Sequence, residues 1–169
     1  SYAKLIAQKI GLDNARVELI YLSAPMHDVG KIGTPDAILK KPGKLTPEEF
    51  EIVRLHPIQG ADIIGNHHSP LLQMARIVSL THHERFDGSG YPYGLKKYDI
   101  PLVGRIIAIA DVFDALTSSR PYKEAWSLDA AVTYLIEQKG KHFDGELVDA
   151  FLSCMDQIKQ IMAQFSDEV

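Results

Sequence analysis

Two adjacent histidines, His82 and His83, stand in the segment THHERFDGSGYP at residues 81–92. Neighbouring residues of an α-helix point about 100° apart, so their two imidazole rings cannot share one helix face. At the end of a helix both rings can turn toward one object, and a metal ion can bind two imidazoles at once. An ordinary helix end would show the same pair, so the pair alone leaves both interpretations open.

Side chains of the same chemical kind occur at three other places in the chain. His27 is followed directly by Asp28, His56 stands alone, and Asp111 lies within an apolar stretch. A carboxylate in such a stretch is costly unless it is paired, hydrogen-bonded or bound to a metal. Borderline metals accept carboxylate and imidazole together, and a carboxylate can bridge two cations. A lone histidine is more often a core or surface residue, but the whole set favours a metal site.

These candidate ligands lie on separate predicted helices, because helical periodicity dominates the chain and strand patterns are weak. We therefore expect one all-α domain, and a bundle can build a metal site from side chains on facing helices. The predicted helices cover residues 2–10, 14–28, 46–65, 69–81, 101–118, 128–139 and 145–164. A kink is expected at Pro25, and a capping box at Thr46 opens the third of these helices. Thr34 is expected to cap a further short helix.

Composition narrows the class of protein further. The 169 residues suffice for one domain, and 46% hydrophobic with 24% charged residues is typical of globular proteins. A net charge of −4 argues against broad DNA binding. The single cysteine, Cys154, allows no intrachain disulfide, favours a reducing compartment and is expected in the core. No apolar run reaches the ~18 residues of a membrane span.

Five sequence blocks resemble one known family. They are HDVGKIGTPDAILKKPGKLTPEEF at 27–50, His56-Pro57, HHERFDGSGYPYGL at 82–95, IPLVGRIIAIADVFDALTSSRPYKEAWS at 100–127 and GKHFDGELVDAF at 140–151. In this order they resemble the HD-GYP domain, a branch of the HD phosphohydrolase superfamily. The resemblance implies an all-α HD-domain helical bundle of about six to eight helices, with the metal site in the bundle core.

The resemblance also implies a ligand set for a metal centre of two or three ions. Iron or manganese is the expected metal, with magnesium, zinc or nickel as alternatives. Asp28 would bridge two ions, one completed by three histidines and the other by one histidine and one aspartate. Carried over by motif, the ligands are His27, Asp28, His56, His82, His83 and Asp111.

The activity that the resemblance implies is hydrolysis of the bacterial second messenger cyclic di-GMP to linear pGpG, GMP or both, by attack of a metal-activated hydroxide. Asp28 would take part through the metals, and Lys31 would lie beside them and contact the phosphate. Such an enzyme would work in the bacterial cytoplasm. It would be a domain of a larger signalling protein, with GGDEF-type or other signalling proteins as partners.

Four further residues are expected to bind the substrate. Arg120 and Lys123 resemble the family's basic residues for phosphate and guanine, although surface charge is the plainer interpretation of both. Tyr91 could stack on the ligand or simply pack the turn, and Asp114 could contact the ligand or orient a neighbouring group. The other histidine pair, His67-His68, is expected to be exposed, and His142 is expected to be structural at a helix start.

One departure from the family concerns the first helix, which usually brings a further ligand histidine upstream of the tyrosine matching Tyr2. We expect residues 1–169 to be a single HD-GYP domain lacking the N-terminal part of that helix and any sensor or receiver domain before it. The alternative is that Ser1 caps the helix and the domain begins there. The first expectation implies that the metal site served by His27 and Asp111 is weakened.

Two other functions remain open at this stage. The missing first-helix ligand favours a cyclic di-GMP receptor or protein-interaction domain without turnover. The third candidate is a phosphohydrolase of another cyclic dinucleotide. The intact ligand positions and the sequence Gly90-Tyr91-Pro92 favour the cyclic di-GMP phosphodiesterase over both.

Overall fold

The computed structural model describes residues 1–119 and 123–167, and within these ranges its regular elements are helices without a β-strand. The all-α prediction is therefore confirmed. A 3-10 segment spans Ala24–Gly33 and a short 3-10 turn spans Lys97–Asp99. The α-helices are α1 (Tyr2–Lys9), α2 (Asn14–Ser23), α3 (Asp36–Leu39), α4 (Pro47–Val53), α5 (His56–Ile64), α6 (Pro70–Thr81), α7 (Leu102–Thr117), α8 (Leu128–Glu137), α9 (Gly145–Leu152) and α10 (Met155–Asp167).

Three of the predicted helices are divided in the structure. The helix predicted over 14–28 ends at Ser23 and continues as the 3-10 segment, with Pro25 near its start. The helix predicted over 46–65 breaks between α4 and α5, because the ring of Pro57 would clash with the carbonyl group four residues earlier. The C-terminal helix breaks between α9 and α10.

The helix starts follow the sequence closely. Thr46 forms the predicted capping box with Glu49, and Ser69 and Ser127 cap α6 and α8. The cap predicted at Thr34 is wrong: α3 begins at Asp36, because the Thr34 backbone N–H instead donates to Lys31 O and closes the 3-10 segment. Ser1 stands at the N-cap position of α1 without a side-chain capping hydrogen bond.

Helix α7 lies at the centre of the bundle and contacts α1, α6, α8 and α9. Three aromatic rings, those of Tyr2, Phe113 and Phe151, meet edge to face in the core, with centroids 4.9 to 5.8 Å apart. Cys154 is buried against the same core, as expected. In the described part of the chain, no helix has the length and apolar character needed to cross a membrane.

A buried ion pair fixes α7 to the start of α9. Arg105 Nη1 lies 2.9 Å from Asp144 Oδ2, and Arg105 Nε donates to Ile100 O at 3.0 Å. The other carboxylate oxygen of Asp144 accepts the backbone N–H of Glu146 and caps α9. The Asp144 carboxylate is buried away from water, so its negative charge must be compensated by Arg105.

We expect the variant Arg105→Met to lower the free energy of unfolding by about 3 kcal/mol, since it leaves Asp144 as a buried, unpaired charge. The double variant Arg105→Met/Asp144→Asn should recover part of this loss, because asparagine still caps α9 without a charge. Denaturant unfolding measures both. The matched control is Lys139→Met, which breaks the solvent-exposed pair with Asp149 and should cost less than ~1 kcal/mol. Equal losses for the two single variants would contradict the assignment.

Candidate metal centre

The structure brings all six predicted ligand side chains together from four parts of the bundle. His82 follows the last residue of α6 and His56 is the first residue of α5. His27 and Asp28 come from the 3-10 segment, His83 directly follows His82, and Asp111 lies in the middle of α7.

Four of these residues form a compact cluster. One donor atom each from Asp28, His56, His82 and His83 lies within 4.8 Å of the others. His56 Nε2 and His82 Nε2 are 3.3 Å apart, and each is 3.6 Å from Asp28 Oδ1. Both of these histidines are fully buried.

The second oxygen of Asp28 faces the other pair of predicted ligands. His27 Nε2 lies 3.0 Å from Asp28 Oδ2 and 3.1 Å from Asp111 Oδ1. Asp28 thus presents one carboxylate oxygen to His56 and His82 and the other to His27. This is the arrangement of a carboxylate that can bridge two cations.

Backbone carbonyl groups fix which ring nitrogen faces the cluster. His27 Nδ1 lies 2.6 Å from Ala24 O, and His56 Nδ1 lies 2.7 Å from Val53 O. His82 Nδ1 lies 3.0 Å from both Val78 O and Ser79 O. Because a carbonyl oxygen can only accept, each Nδ1 must carry the proton. In the neutral ring the Nε2 lone pair then points into the cluster, as in metal-binding histidines.

This donor set fits a transition-metal ion. The Nε2 lone pairs of His56 and His82 face each other at 3.3 Å with no proton to share, which is unfavourable unless a cation lies between them. Two nitrogens that bind one ion at about 2.1 Å, with a bond angle of roughly 90–110°, are ~3.0–3.4 Å apart. Three imidazoles and a carboxylate are ligands that iron, manganese and zinc all accept.

Burial prepares two of the histidines to bind as neutral ligands. Burial, together with the neighbouring His82 and His56 rings, lowers the pKa of His83 to about 2. Burial likewise lowers the pKa of His56, outweighing its hydrogen bond to Val53. A histidine with a lowered pKa stays neutral near neutral pH, so one ring nitrogen keeps a lone pair for which no proton competes.

The carboxylates are kept ionised by their histidine partners. Burial opposes ionisation of Asp28, but the neighbouring His27 ring and the Lys31 ammonium group hold the pKa of Asp28 well below its usual range. The hydrogen bond from His27 lowers the pKa of Asp111 in the same way, again against burial. Burial alone would lower the pKa of His27, but the two carboxylates raise it to about 10.

Glycine at position 30 allows the 3-10 segment to lie directly against α5. A Cβ atom on Gly30 would stand 1.8 Å from His56 O and 2.5 Å from the backbone nitrogen of Gly60. Any larger side chain would therefore push Asp28 and His56 apart. Gly33, at the end of the same segment, has only the flexible side chain of Gln59 nearby.

A cavity of about 350 Å³ opens beside the cluster and contains two of the predicted basic residues. Lys31 Nζ lies 3.3 Å from Asp28 Oδ2. Lys123 Nζ donates to Ala115 O at 2.8 Å and to Leu116 O at 3.3 Å, so it closes the C-terminal end of α7. Lys31 and Lys123 thus line the cavity at its metal side and at the end of α7.

Asp114, another predicted substrate residue, does not line this cavity. It is exposed, lines two other grooves beside Tyr2 and Phe165, one of which also reaches His27 and Asp111, and accepts a hydrogen bond from Ser118 Oγ at 3.3 Å. The structure therefore does not bring Asp114 into the cavity with Lys31. Arg120 lies outside the described residues.

The Tyr91 ring stacks on His83 with centroids 4.9 Å apart and planes 18° apart. Phe50 meets the Tyr91 ring edge to face, and Arg54 lies 5.3 Å from its centroid. Sequence reasoning missed both Phe50 of α4 and Arg54 directly after this helix, because nothing in their spacing connects them with the turn. Sequence reasoning also assigned no role to Glu84, although its position inside the histidine motif could have indicated one.

The remaining histidines behave as predicted in their surroundings. His67 and His68 are exposed. His142 O accepts the Phe86 backbone N–H at 3.0 Å just before the α9 cap, and burial lowers the pKa of His142 to about 4. Its contacts are those of a structural residue that ties the segment after the histidine pair to the start of α9.

A helical bundle with a buried centre of histidines and aspartates defines a class of metal-binding domain. The chain belongs to the HD domain family, whose model matches residues 1–147. The family resemblance seen in the sequence is thereby confirmed.

Similar proteins include a cyclic di-GMP phosphodiesterase response regulator of Xanthomonas campestris, 49% identical over 97% of this chain and 43% of that protein. A cyclic di-GMP phosphodiesterase of Thermotoga maritima is 47% identical over 96% of this chain and 44% of that protein. The chain thus spans less than half the length of these relatives. An HD-GYP-type protein of Bdellovibrio bacteriovorus shares the fold, with a TM-score of 0.70 and 22% identity over 92% of this chain and 49% of that one.

We expect Gly30→Ala to weaken Mn²⁺ binding by at least about tenfold, because its methyl group separates Asp28 from His56. Isothermal titration calorimetry measures the affinity, and thermal unfolding with and without Mn²⁺ measures the linked stabilisation. The matched control is Gly33→Ala in the same segment, which should keep the affinity of the unchanged protein. Equal affinities of the two variants would contradict the role given to Gly30.

Proposed function

We propose that this domain is a metal-dependent phosphodiesterase that hydrolyses cyclic di-GMP to linear pGpG, GMP or both. The observation that carries the proposal is the cluster of Asp28, His83 and the buried His56 and His82 beside a cavity that Lys31 lines. The names of the Xanthomonas and Thermotoga relatives support cyclic di-GMP as the substrate. We propose a centre of two ions, iron or manganese, held by the six residues predicted from the sequence.

Bound divalent ions would supply Lewis-acid polarisation of the phosphoryl oxygens and an activated water. The residues of the chain provide the setting for this chemistry. His56 and His82 turn unprotonated Nε2 atoms inward, and Asp28 keeps a negative charge between the two groups of ligands. The burial of His56 and His82 keeps water from their side of the site, which strengthens the charge interactions there.

Lys31 would orient the substrate and stabilise charge in the transition state. Its Nζ lies beside Asp28 but its side chain is still partly exposed toward the cavity, so it can reach a phosphate oxygen next to the metals. Lys123 would act more indirectly, because its Nζ is engaged by the carbonyl groups at the end of α7. We propose that Lys123 shapes that wall of the cavity and adds positive charge to it.

A second candidate substrate is another cyclic dinucleotide. A 3'3'-cGAMP-specific phosphodiesterase of Vibrio cholerae is 43% identical over 98% of this chain and 32% of that protein. The two dinucleotides differ in one purine, whereas the phosphodiester that the metals and Lys31 would contact is common to both. The distinction between them therefore falls on residues around the base rather than on the metal centre.

We also propose that the whole protein contains a signal-receiving region and works in the bacterial cytoplasm. The name of the Xanthomonas relative, a response regulator more than twice as long as this chain, supports such a region.

We expect Mn²⁺- or Fe²⁺-loaded protein to convert cyclic di-GMP to pGpG or GMP, measured by chromatography. Lys31→Ala should lower kcat by about 10²-fold or more with metal content unchanged, because it removes a charge that acts on the phosphoryl group. His82→Ala should lose both metal and activity. Tight binding without product would support a receptor, and a higher kcat/KM for 3'3'-cGAMP would support the second candidate.

We expect the two ions to bind with unequal affinity. The group around His56, His82 and His83 offers three imidazoles beside Asp28, whereas the other group offers one imidazole and one further carboxylate, those of His27 and Asp111. A Mn²⁺ titration followed by calorimetry should resolve a tight and a weak step. Of two matched variants, His83→Ala should remove the tight step and Asp111→Asn should affect the weak one. Two ions of equal affinity in the unchanged chain would contradict this expectation.

A further inference from the structure

His83 differs from the other predicted ligand histidines in how its ring is held. His27, His56 and His82 each donate Nδ1–H to a backbone carbonyl group, which fixes the ring direction. No such hydrogen bond is recorded for His83 among the described residues. Metal-binding histidines normally depend on an outer partner for their orientation. Some other contact must therefore orient the His83 ring.

That contact is the ring of Tyr91. The two rings stack nearly parallel, and the Tyr91 backbone N–H donates to His83 O at 3.2 Å. Phe50 of α4 and Arg54, the residue that follows α4, pack on the Tyr91 ring in turn. Tyr91 is thus joined to His83 by both backbone and side chain, and α4 supports it from outside.

Glu84 holds the turn that carries Tyr91. Its side chain is 1% exposed, and its two carboxylate oxygens accept the backbone N–H groups of Tyr93 at 2.8 Å and Leu95 at 3.0 Å. Hydrogen bonds to an ionised acceptor are the strong kind. The turn after Tyr91 is therefore fastened to the residue that directly follows His83.

Gly90 lets the turn close on itself. A Cβ atom at this position would stand 2.4 Å from both His83 O and the backbone nitrogen of Arg85. Only glycine permits the chain to return so closely to the histidine pair. The segment from His83 to Leu95 thus folds back on its own start and lays Tyr91 on the His83 ring.

We propose that Tyr91 and Glu84 are positioning residues that orient His83 for metal binding, with the Tyr91 ring rather than its hydroxyl as the essential part. This role rests on the proposed metal centre and not on the identity of the nucleotide. It assigns the turn a function within the metal site, whether or not Tyr91 also touches the substrate.

The test compares Tyr91→Phe, which keeps the ring, with Tyr91→Leu, which removes it, on the full chain. Mn²⁺ affinity is measured by calorimetry, and Co²⁺ ligand-field absorption reports the number and arrangement of imidazoles. We expect Tyr91→Phe to bind Mn²⁺ within about twofold of the unchanged protein, and Tyr91→Leu to lose about tenfold or more with an altered Co²⁺ spectrum. The matched control Tyr93→Leu changes an exposed tyrosine of the same turn and should leave both readouts unchanged.

Glu84→Gln provides an independent variant, because it keeps the side-chain size but replaces one acceptor oxygen by a donor. Glu84→Gln should weaken Mn²⁺ binding as Tyr91→Leu does. The double variant Glu84→Gln/Tyr91→Leu should bind Mn²⁺ only slightly more weakly than either single variant, since both act through His83. If Glu84→Gln fails to fold, the pair of Tyr91 variants still decides.

Three outcomes would overturn the proposal. They are full Mn²⁺ affinity in Tyr91→Leu, equal losses in Tyr91→Phe and Tyr91→Leu, or no Mn²⁺ binding by the unchanged chain, which would also remove the metal centre itself. Failure of the proposed function alone looks different: Mn²⁺ binding would follow the expected order among the variants while cyclic di-GMP stayed intact.

Discussion

The structure depends on one electrostatic constraint, the convergence of lone pairs from His56, His82 and Asp28 at the centre of the bundle. Nitrogen lone pairs 3.3 Å apart, with a carboxylate oxygen 3.6 Å from each, attract a cation but repel one another. An apolar core would avoid such a grouping, because burying polar groups without partners costs free energy. The bundle can hold these atoms together because neighbouring backbone carbonyl groups fix the rings of His56 and His82 in place.

Breaks in the helices supply those backbone groups. The break between α4 and α5 leaves Val53 O free to accept the proton of His56 Nδ1, and the start of the 3-10 segment offers Ala24 O to His27. At the end of α6 the carbonyl groups of the last turn serve His82. Helix ends always leave carbonyl groups without helical partners. Three of the predicted ligand histidines face carbonyl groups at such helix ends, so the divided helices are part of the metal site.

The segment after the histidine pair connects this site with the rest of the fold. Its own residues are fastened to Glu84, and Phe86 is bonded to His142 next to the start of α9. The same start of α9 is fixed to α7 by Arg105 and Asp144. These contacts therefore fix the positions of Asp111 and His83 relative to each other, although the two residues come from different parts of the chain. Helix α4 adds a cover for Tyr91 that no periodicity or motif had indicated.

Helical periodicity, capping patterns and the family motifs, which are all local in the chain, predict the all-α class, most helix starts and the six side chains that meet at the centre. Tertiary contacts determine where long helices divide, that Lys123 closes α7, that Asp114 lines other grooves than the cavity with Lys31 and that Tyr91 lies on His83. These outcomes depend on contacts between residues far apart in sequence. Steric limits such as that at Gly30, and carbonyl groups freed at helix breaks, arise only when separate elements pack together.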